Sequence, residues 1–214
     1  MPLDLKQRLS GFLSQARPHA ACEIPLFPLD TVLFPGGKLP LKVFEPRYME
    51  MVSACLKGKK AFGICLIRAG QETGVPAQTE PVGCMVEIID WDMRQPGVLD
   101  ITVIATQRFR IEASRAEKNG LIMARVVGIA DEQPLPLAKQ HLACATILRR
   151  IIEHLGVERF APPLRYDDSV WVGYRLAELL PLKRSVRQNM LEMNDSLVRI
   201  EILHRFLSQQ GLLA

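Results

Sequence analysis

Residues 24–52 read IPLFPLDTVLFPGGKLPLKVFEPRYMEMV, and the prolines and glycines of this run decide where the backbone can pair. Pro25, Pro28, Pro35, Pro40 and Pro46 carry no amide hydrogen, so they belong at strand starts, edges, bulges, turns or the first turn of a helix. Pro35-Gly36 suits the central pair of a type II turn: proline presets φ at the first position and glycine supplies the positive φ of the second. Two short edge-type strands joined by a tight turn are expected from this. Glu45-Pro46 then puts a proline where a first helical residue tolerates one, and Tyr48, Met51, Val52 and Cys55 recur behind it at helical spacing. A helix is expected to start there.

Outward from this run, Glu23 to Glu132 reads mainly as strand, with turn signals at Gly70, Pro96-Gly97 and Asn119-Gly120. Six or seven short strands are expected, with one helix after the second. Asn119-Gly120 is the strongest hairpin signal, joining Arg108–Ala116 to Leu121–Ala130, because Asn-Gly accepts positive φ at both positions. Pro134 and Pro136 mark a change of period. Leu142, Ala145, Ile147, Leu148, Ile151, Ile152 and Leu155 then outline an amphipathic helix ending at Gly156. Asp167-Asp168-Ser169 offers cap oxygens for a second helix through Trp171, Tyr174 and Leu180. Met190, Leu191 and Met193 suggest a third, and Asp195-Ser196 caps a last one carrying Leu197, Ile200, Leu203 and Leu207.

The order of strand, Pro-Gly turn, Leu-Pro-Leu strand and Phe-Glu-Pro-Arg-Tyr helix resembles the opening of the Lon protease N-terminal (substrate-binding) domain family, in the segments PLFPL, LFPG, LPL and FEPRY. FGICLIRAG from Phe62, VGCMVEIIDWD from Val82, ITVIATQRFRI from Ile101 and WVGYRLAELLPL from Trp171 keep the family's order, so the resemblance runs from about Ile24 to Leu207. It implies an α+β fold, a PUA-like open β-barrel over residues 22–133 with one helix, followed by a C-terminal α-helical bundle over 134–210. Residues 1–21 would be a tail. One departure stands out: the family has glycine a few residues before the Arg-Phe pair, and this chain has Ala105. A positive φ there would strain alanine.

Composition narrows the function. With 214 residues, 48% hydrophobic and 23% charged, the chain has enough apolar surface for a substantial core. No apolar run reaches membrane-spanning length and no secretory signal is evident, so a cytoplasmic location and no membrane contact are expected. Leu5, Leu9, Phe12 and Leu13 make a short helical stripe near the N-terminus. The five cysteines, Cys22, Cys55, Cys65, Cys84 and Cys144, form no C-x-x-C pair and number oddly, against a disulfide framework or a zinc knuckle. The four histidines lack i, i+4 spacing. No metal or cofactor is expected. The net charge of +4 divides into 16 basic and 15 acidic residues up to Gln133 and 11 and 8 beyond it, too mild a bias to favour nucleic acid.

Catalytic motifs are missing. Gly36-Gly37-Lys38 fails as a phosphate loop, since Val32 stands at the leading glycine and Leu39 at the magnesium-binding hydroxyl. Lys183 and Ser185 are two apart on an expected helix, so their side chains diverge. Glu87, Asp90 and Asp92 read as surface acids. No ATPase or Ser-Lys protease module is recognised, and an enzyme is not expected.

The resemblance instead implies a stand-alone module that binds unfolded or damaged polypeptide segments, as an adaptor or regulator of an ATP-dependent protease. Strand addition beside a crevice between barrel and helices is a physical route to this. Covering about 300 Å² of apolar peptide gains roughly 7 kcal/mol at ~25 cal/mol/Å², and association removes about 4 kcal/mol or more. Weak, promiscuous binding follows. The alternatives are an RNA-binding PUA-like protein and a Cys or Ser hydrolase. The motif residues are Phe44, Glu45, Arg47, Tyr48, Arg108, Phe109, Trp171, Tyr174 and Arg175. Phe44, Phe109, Trp171 and Tyr174 read as core. Glu45 reads as a helix-terminal carboxylate, and Glu45, Arg47, Arg108 and Arg175 as interdomain ties, with peptide contact the other role for the set.

Overall fold

A computed structural model of the chain describes residues 21–213, so the stripe at Leu5 to Leu13 lies outside the described residues. Six strands run in the order β2-β5-β4-β3-β1-β6, where β1 is Cys22–Leu29, β2 Lys38–Val43, β3 Phe62–Ala69, β4 Gln78–Gln95, β5 Val98–Ala116 and β6 Ile122–Gly128. β6 also pairs with β5, so hydrogen bonding passes from β5 through β4, β3, β1 and β6 back to β5. β2 hangs from the outside of this circuit, antiparallel to β5. Helix α1, Pro46–Gly58, follows β2 and buries Tyr48, Met51, Val52 and Cys55, as the spacing predicts.

Of the two proline-bearing strands expected at edges, β2 lies at one, pairing with β5 alone among the described residues, and the other departs from the expectation. β1 is no edge. Its first part, Cys22–Leu26, lies antiparallel to β6, and its second part, Leu26–Leu29, lies parallel to β3. The two pairings overlap only at Leu26, so each half has a single partner. That is how Pro25 and Pro28 fit inside the circuit: each sits where one side of the strand is unpaired. The Pro35-Gly36 turn forms, with Gly36 at φ +77° and the Gly37 amide donating to Phe34 O at 2.9 Å.

Ala105 is unstrained. Among the described residues, Lys59 is the one non-glycine with positive φ, and Ala105 is a buried β5 residue. Its amide donates to Gly37 O at 2.8 Å and its carbonyl accepts from Gly36 at 2.8 Å. The unusual dihedral falls on Gly36, across the pairing.

β4 and β5 are 18 and 19 residues long, so the strands are not all short. The Asn119-Gly120 hairpin forms between β5 and β6, but positive φ occurs at Gly120 alone, +83°. Gly120 N donates to Glu117 O at 2.8 Å, which makes Lys118-Asn119 the centre of the turn and Gly120 the bulge residue of a three-residue loop. Asn119 Oδ1 accepts from the Leu121 amide at 3.0 Å, an added hold on this loop.

Beyond β6 the chain is helical: α2 Leu142–Leu155, α3 Ser169–Leu179, α4 Arg184–Glu192 and α5 Ser196–Gln209. α2 stops at Gly156, φ +96°. Asp168 caps α3, accepting from Val170 N at 2.9 Å, and Asp195 caps α5, accepting from Leu197 and Val198 at 3.0 Å each. One continuous core joins strands, α1 and these helices, through residues such as Phe34, Val82, Leu148, Leu176, Leu191 and Leu203. A smaller core inside the strand circuit gathers Ile24, Leu26, Cys65, Phe109, Ile122, Ala124 and Val126. Successive β5 residues serve the two regions. Phe109 turns into the small core and Arg108 toward the helices, because neighbouring strand side chains point to opposite faces.

Candidate crevice and the polar knot beneath it

The helices are fastened to the strands by buried arginines. Arg108, wholly buried, donates to Leu191 O at 2.9 Å, Met193 O at 3.0 Å and Ala130 O at 3.3 Å. Arg199, also wholly buried on α5, shares Met193 O at 3.1 Å and grips the Glu132 carboxylate at 2.7 and 2.8 Å. Tyr174 OH donates to the same carboxylate at 2.7 Å, and the Arg199 guanidinium lies over the Tyr174 ring at 4.1 Å. Burial holds the Tyr174 hydroxyl well above the ordinary phenol range. Two cations on one carboxylate, with carbonyls taking further donors, offset part of the desolvation cost, although the buried Nε of Arg108 and of Arg199 has no partner among the described residues. Arg175 on α3 donates to Pro35 O at 2.9 Å and lies 3.1 Å from Glu178. It therefore clasps the Pro-Gly turn to the helices.

The other motif residues are dispersed. Arg47 donates to Gly120 O at 3.0 Å and pairs with Glu45 at 2.9 Å, tying α1 to the β5–β6 loop without reaching α2 to α5. Glu45 occupies the cap position of α1 but makes no side-chain cap bond; Arg47 takes its carboxylate instead. Tyr48 stacks on Phe27 at 4.1 Å between centroids. Trp171 is half-buried, edge-on to Tyr166 at 5.3 Å. Phe44 is not core: it is 57% exposed, because Val43 takes the inward position and sends its neighbour outward. Arg199, Glu132, Glu178 and Gln188, whose Nε2 donates to Val82 O at 3.0 Å, escape sequence reasoning altogether. Arg199, Glu178 and Gln188 are single polar residues on amphipathic helices and Glu132 lies in the loop after β6, and no spacing rule separates any of them from a solvated residue.

Between β2 and the helices lies a crevice of about 700 Å³, in the range of ligand-binding clefts. Three successive β2 residues, Lys38, Leu39 and Pro40, form one side. Leu155, Phe160 and Leu179 supply apolar surface, and Glu178 lies at its border toward the Pro-Gly turn. None of the nine motif residues lines it. Among the described residues β2 pairs with β5 alone, so its other side offers unpaired backbone groups. The lining also includes Thr102 of β5, opposite Pro40, so the crevice lies against the β2–β5 pair and sets apolar hollows beside a strand with an unpaired flank, two features an extended peptide needs.

Nucleophile chemistry finds little support among the buried thiols. Burial pushes Cys65 and Cys84 far up, raises Cys55, and takes Cys144 to about 11, so all four stay protonated at neutral pH; Cys22 is exposed. Among the described residues no group of His, Cys, Asp and Glu is arranged to hold a metal ion, and no helix is long and apolar enough to cross a membrane.

Comparison with known proteins adds to this picture. The profile of the family described as ATP-dependent protease La (LON) substrate-binding domain matches residues 23–209. A crystal structure of a Lon N-terminal domain protein from Xanthomonas campestris is 36% identical, with a TM-score of 0.72 over 85% of this chain and 96% of that one. The N-terminal domain of Mycobacterium avium complex Lon protease shares the fold at 14% identity, TM-score 0.62, over 87% of this chain and 98% of that one. Lon protease of Escherichia coli (strain K12) is 24% identical over 190 residues, which are 85% of this chain and 24% of the protease. The chain thus spans about a quarter of that relative's length.

Proposed function

Because the chain belongs to the family of Lon substrate-binding domains, we propose that it is a recognition module for unfolded or damaged polypeptide segments. It takes them up as an added strand on β2, within the neighbouring crevice. The observation carrying this reading is the coincidence of an unpaired strand edge with apolar hollows in one cleft. The return of β6 onto β5 supports reading residues 22–133 as an open barrel of the PUA type, and the mutual packing of α2 to α5 supports a helical bundle over 134–210. In this account Glu45, Arg47, Tyr48, Arg108, Phe109, Tyr174 and Arg175 form the framework, Phe44 and Trp171 remain available at the surface, and no residue is catalytic. The module acts in the cytoplasm, without a cofactor, as an adaptor or regulator beside an ATP-dependent protease.

Fluorescence anisotropy tests it. The protein should bind a labelled, permanently unfolded polypeptide and not the folded form of the same polypeptide. Phe160→Ala, which removes an apolar wall, should weaken binding about tenfold, close to the transfer free energy of a partly buried ring. Affinity for a short RNA that collapses with salt, with none for the unfolded chain, would transfer the assignment to nucleic acid.

A further inference from the structure

The charges around the crevice are unbalanced. Lys38 at the start of β2, Arg159 in the turn after α2 and Arg187 on α4 come from three elements and line the same hollow. Among the described residues none of the three has a carboxylate within 4.0 Å. Lys38 donates to Glu158 O at 3.3 Å and Arg187 to Leu180 O at 2.9 Å, both carbonyls, and the buried Arg187 Nε has no partner. Of the two acids of the hollow, Glu178 is held by Arg175 at 3.1 Å, accepts the Phe34 amide at 3.4 Å and also feels the Arg187 charge, while the exposed Glu158 carboxylate lies beside Gly156. With Arg175 occupied by Glu178, cations still outnumber the remaining acid.

We propose that the occupant is an extended polypeptide segment in which apolar residues alternate with Asp or Glu side chains. This rests on the peptide-binding reading above and specifies its substrate. Along an added strand, side chains alternate between two faces every ~3.3 Å, and Lys38 and Leu39, successive residues of β2, themselves face opposite ways, so a guest strand beside them sets carboxylates on the Lys38 side and apolar groups on the Leu39 side. Guanidinium groups fit carboxylates as two parallel hydrogen bonds. Three cations on three elements also match several side-chain carboxylates better than a single chain terminus.

The test uses three fluorescein-labelled peptides of about twelve residues, amidated at the C-terminus. They share Val and Leu positions and carry Glu, Gln or Lys between them. The Glu peptide should bind about tenfold tighter than the Gln peptide at low salt, the Lys peptide more weakly than either, and the gap should narrow as salt is added. Arg159→Glu lies on an exposed side chain, so the melting temperature should hold while the order of the Glu and Lys peptides reverses. Equal affinity for all three peptides overturns the acidic preference and leaves the peptide-binding function standing; no binding of any overturns both. A Glu preference that survives both Arg159→Glu and Arg187→Gln places the acids elsewhere and also defeats the proposal. So does a preference that appears only when the C-terminus is a free carboxylate.

Discussion

Glu132 is a single carboxylate held by Arg199 and Tyr174, with Arg108 at 3.8 Å, and the cost of disturbing it follows from that geometry. Arg199→Leu leaves Glu132 buried against a weaker partner, so the chain should lose about 3 kcal/mol of stability, the low end for breaking a buried pair, because Arg108 stays nearby. A urea titration reads this as a lowered midpoint at unchanged slope. Glu178 supplies a pH signature. Burial raises its carboxyl above the usual range, and Arg175, the Phe34 amide and Arg187 lower it only in part. The folded chain therefore holds that proton more tightly than the unfolded chain. The group's contribution to stability is fully present below the unfolded value and is lost as pH rises through the raised folded value. Glu178→Gln abolishes that loss, so the variant's midpoint relative to the parent should climb as pH rises above the ordinary glutamate value of about 4. An offset that stays constant over that rise would show the carboxyl to be unshifted.

At the scale of elements, two strand glycines explain how Phe109 fits inside the circuit. A Cβ on Gly63 would stand 2.6 Å from the Phe109 ring, and one on Gly83 would strike Ile64 O as well as the ring at 3.0 Å. Gly83→Ala must push β3 and β4 apart or displace the ring, which predicts a loss of about 1–3 kcal/mol, measured as a fall in the thermal midpoint. The sequence carries this signal, since glycine within an apolar strand run marks a close approach. It also shows the helices plainly: Asp168 and Asp195 cap where acidic residues precede apolar periodicity, and Gly156 ends α2. Pairing is less legible. Nothing in residues 24–43 says that β1 takes β3 and β6 as partners while β2 takes β5, because the prolines limit hydrogen bonding without naming a neighbour. The crevice is hidden for the same reason. It is assembled from residues 31–40, 102, 155–160 and 178–187, which only the tertiary packing brings together.

For the molecule as a whole, the shared core makes strands and helices one cooperative unit. Arg108 needs carbonyls from the end of α4, Gln188 needs Val82 O, and Phe34 packs at 5.5 Å on Tyr174. Residues 22–133 produced alone would uncover that core and leave Arg108 with little to bond. They should show no cooperative thermal transition, whereas the whole chain should melt in a single step with equal calorimetric and van't Hoff enthalpies. Two separate transitions in the whole chain would mean that the strands and helices are energetically independent. The circuit of strands has one more consequence. Pairing β6 back onto β5 leaves β2, among the described residues, with an outer side open along its length, and an open flank invites identical copies to stack without limit. Pro40, in the middle of those six residues, deletes an amide from the flank. A short guest can still dock on either side of the gap, but a long ladder of self-association is interrupted at every copy, so the fold stays receptive without becoming a seed for fibres.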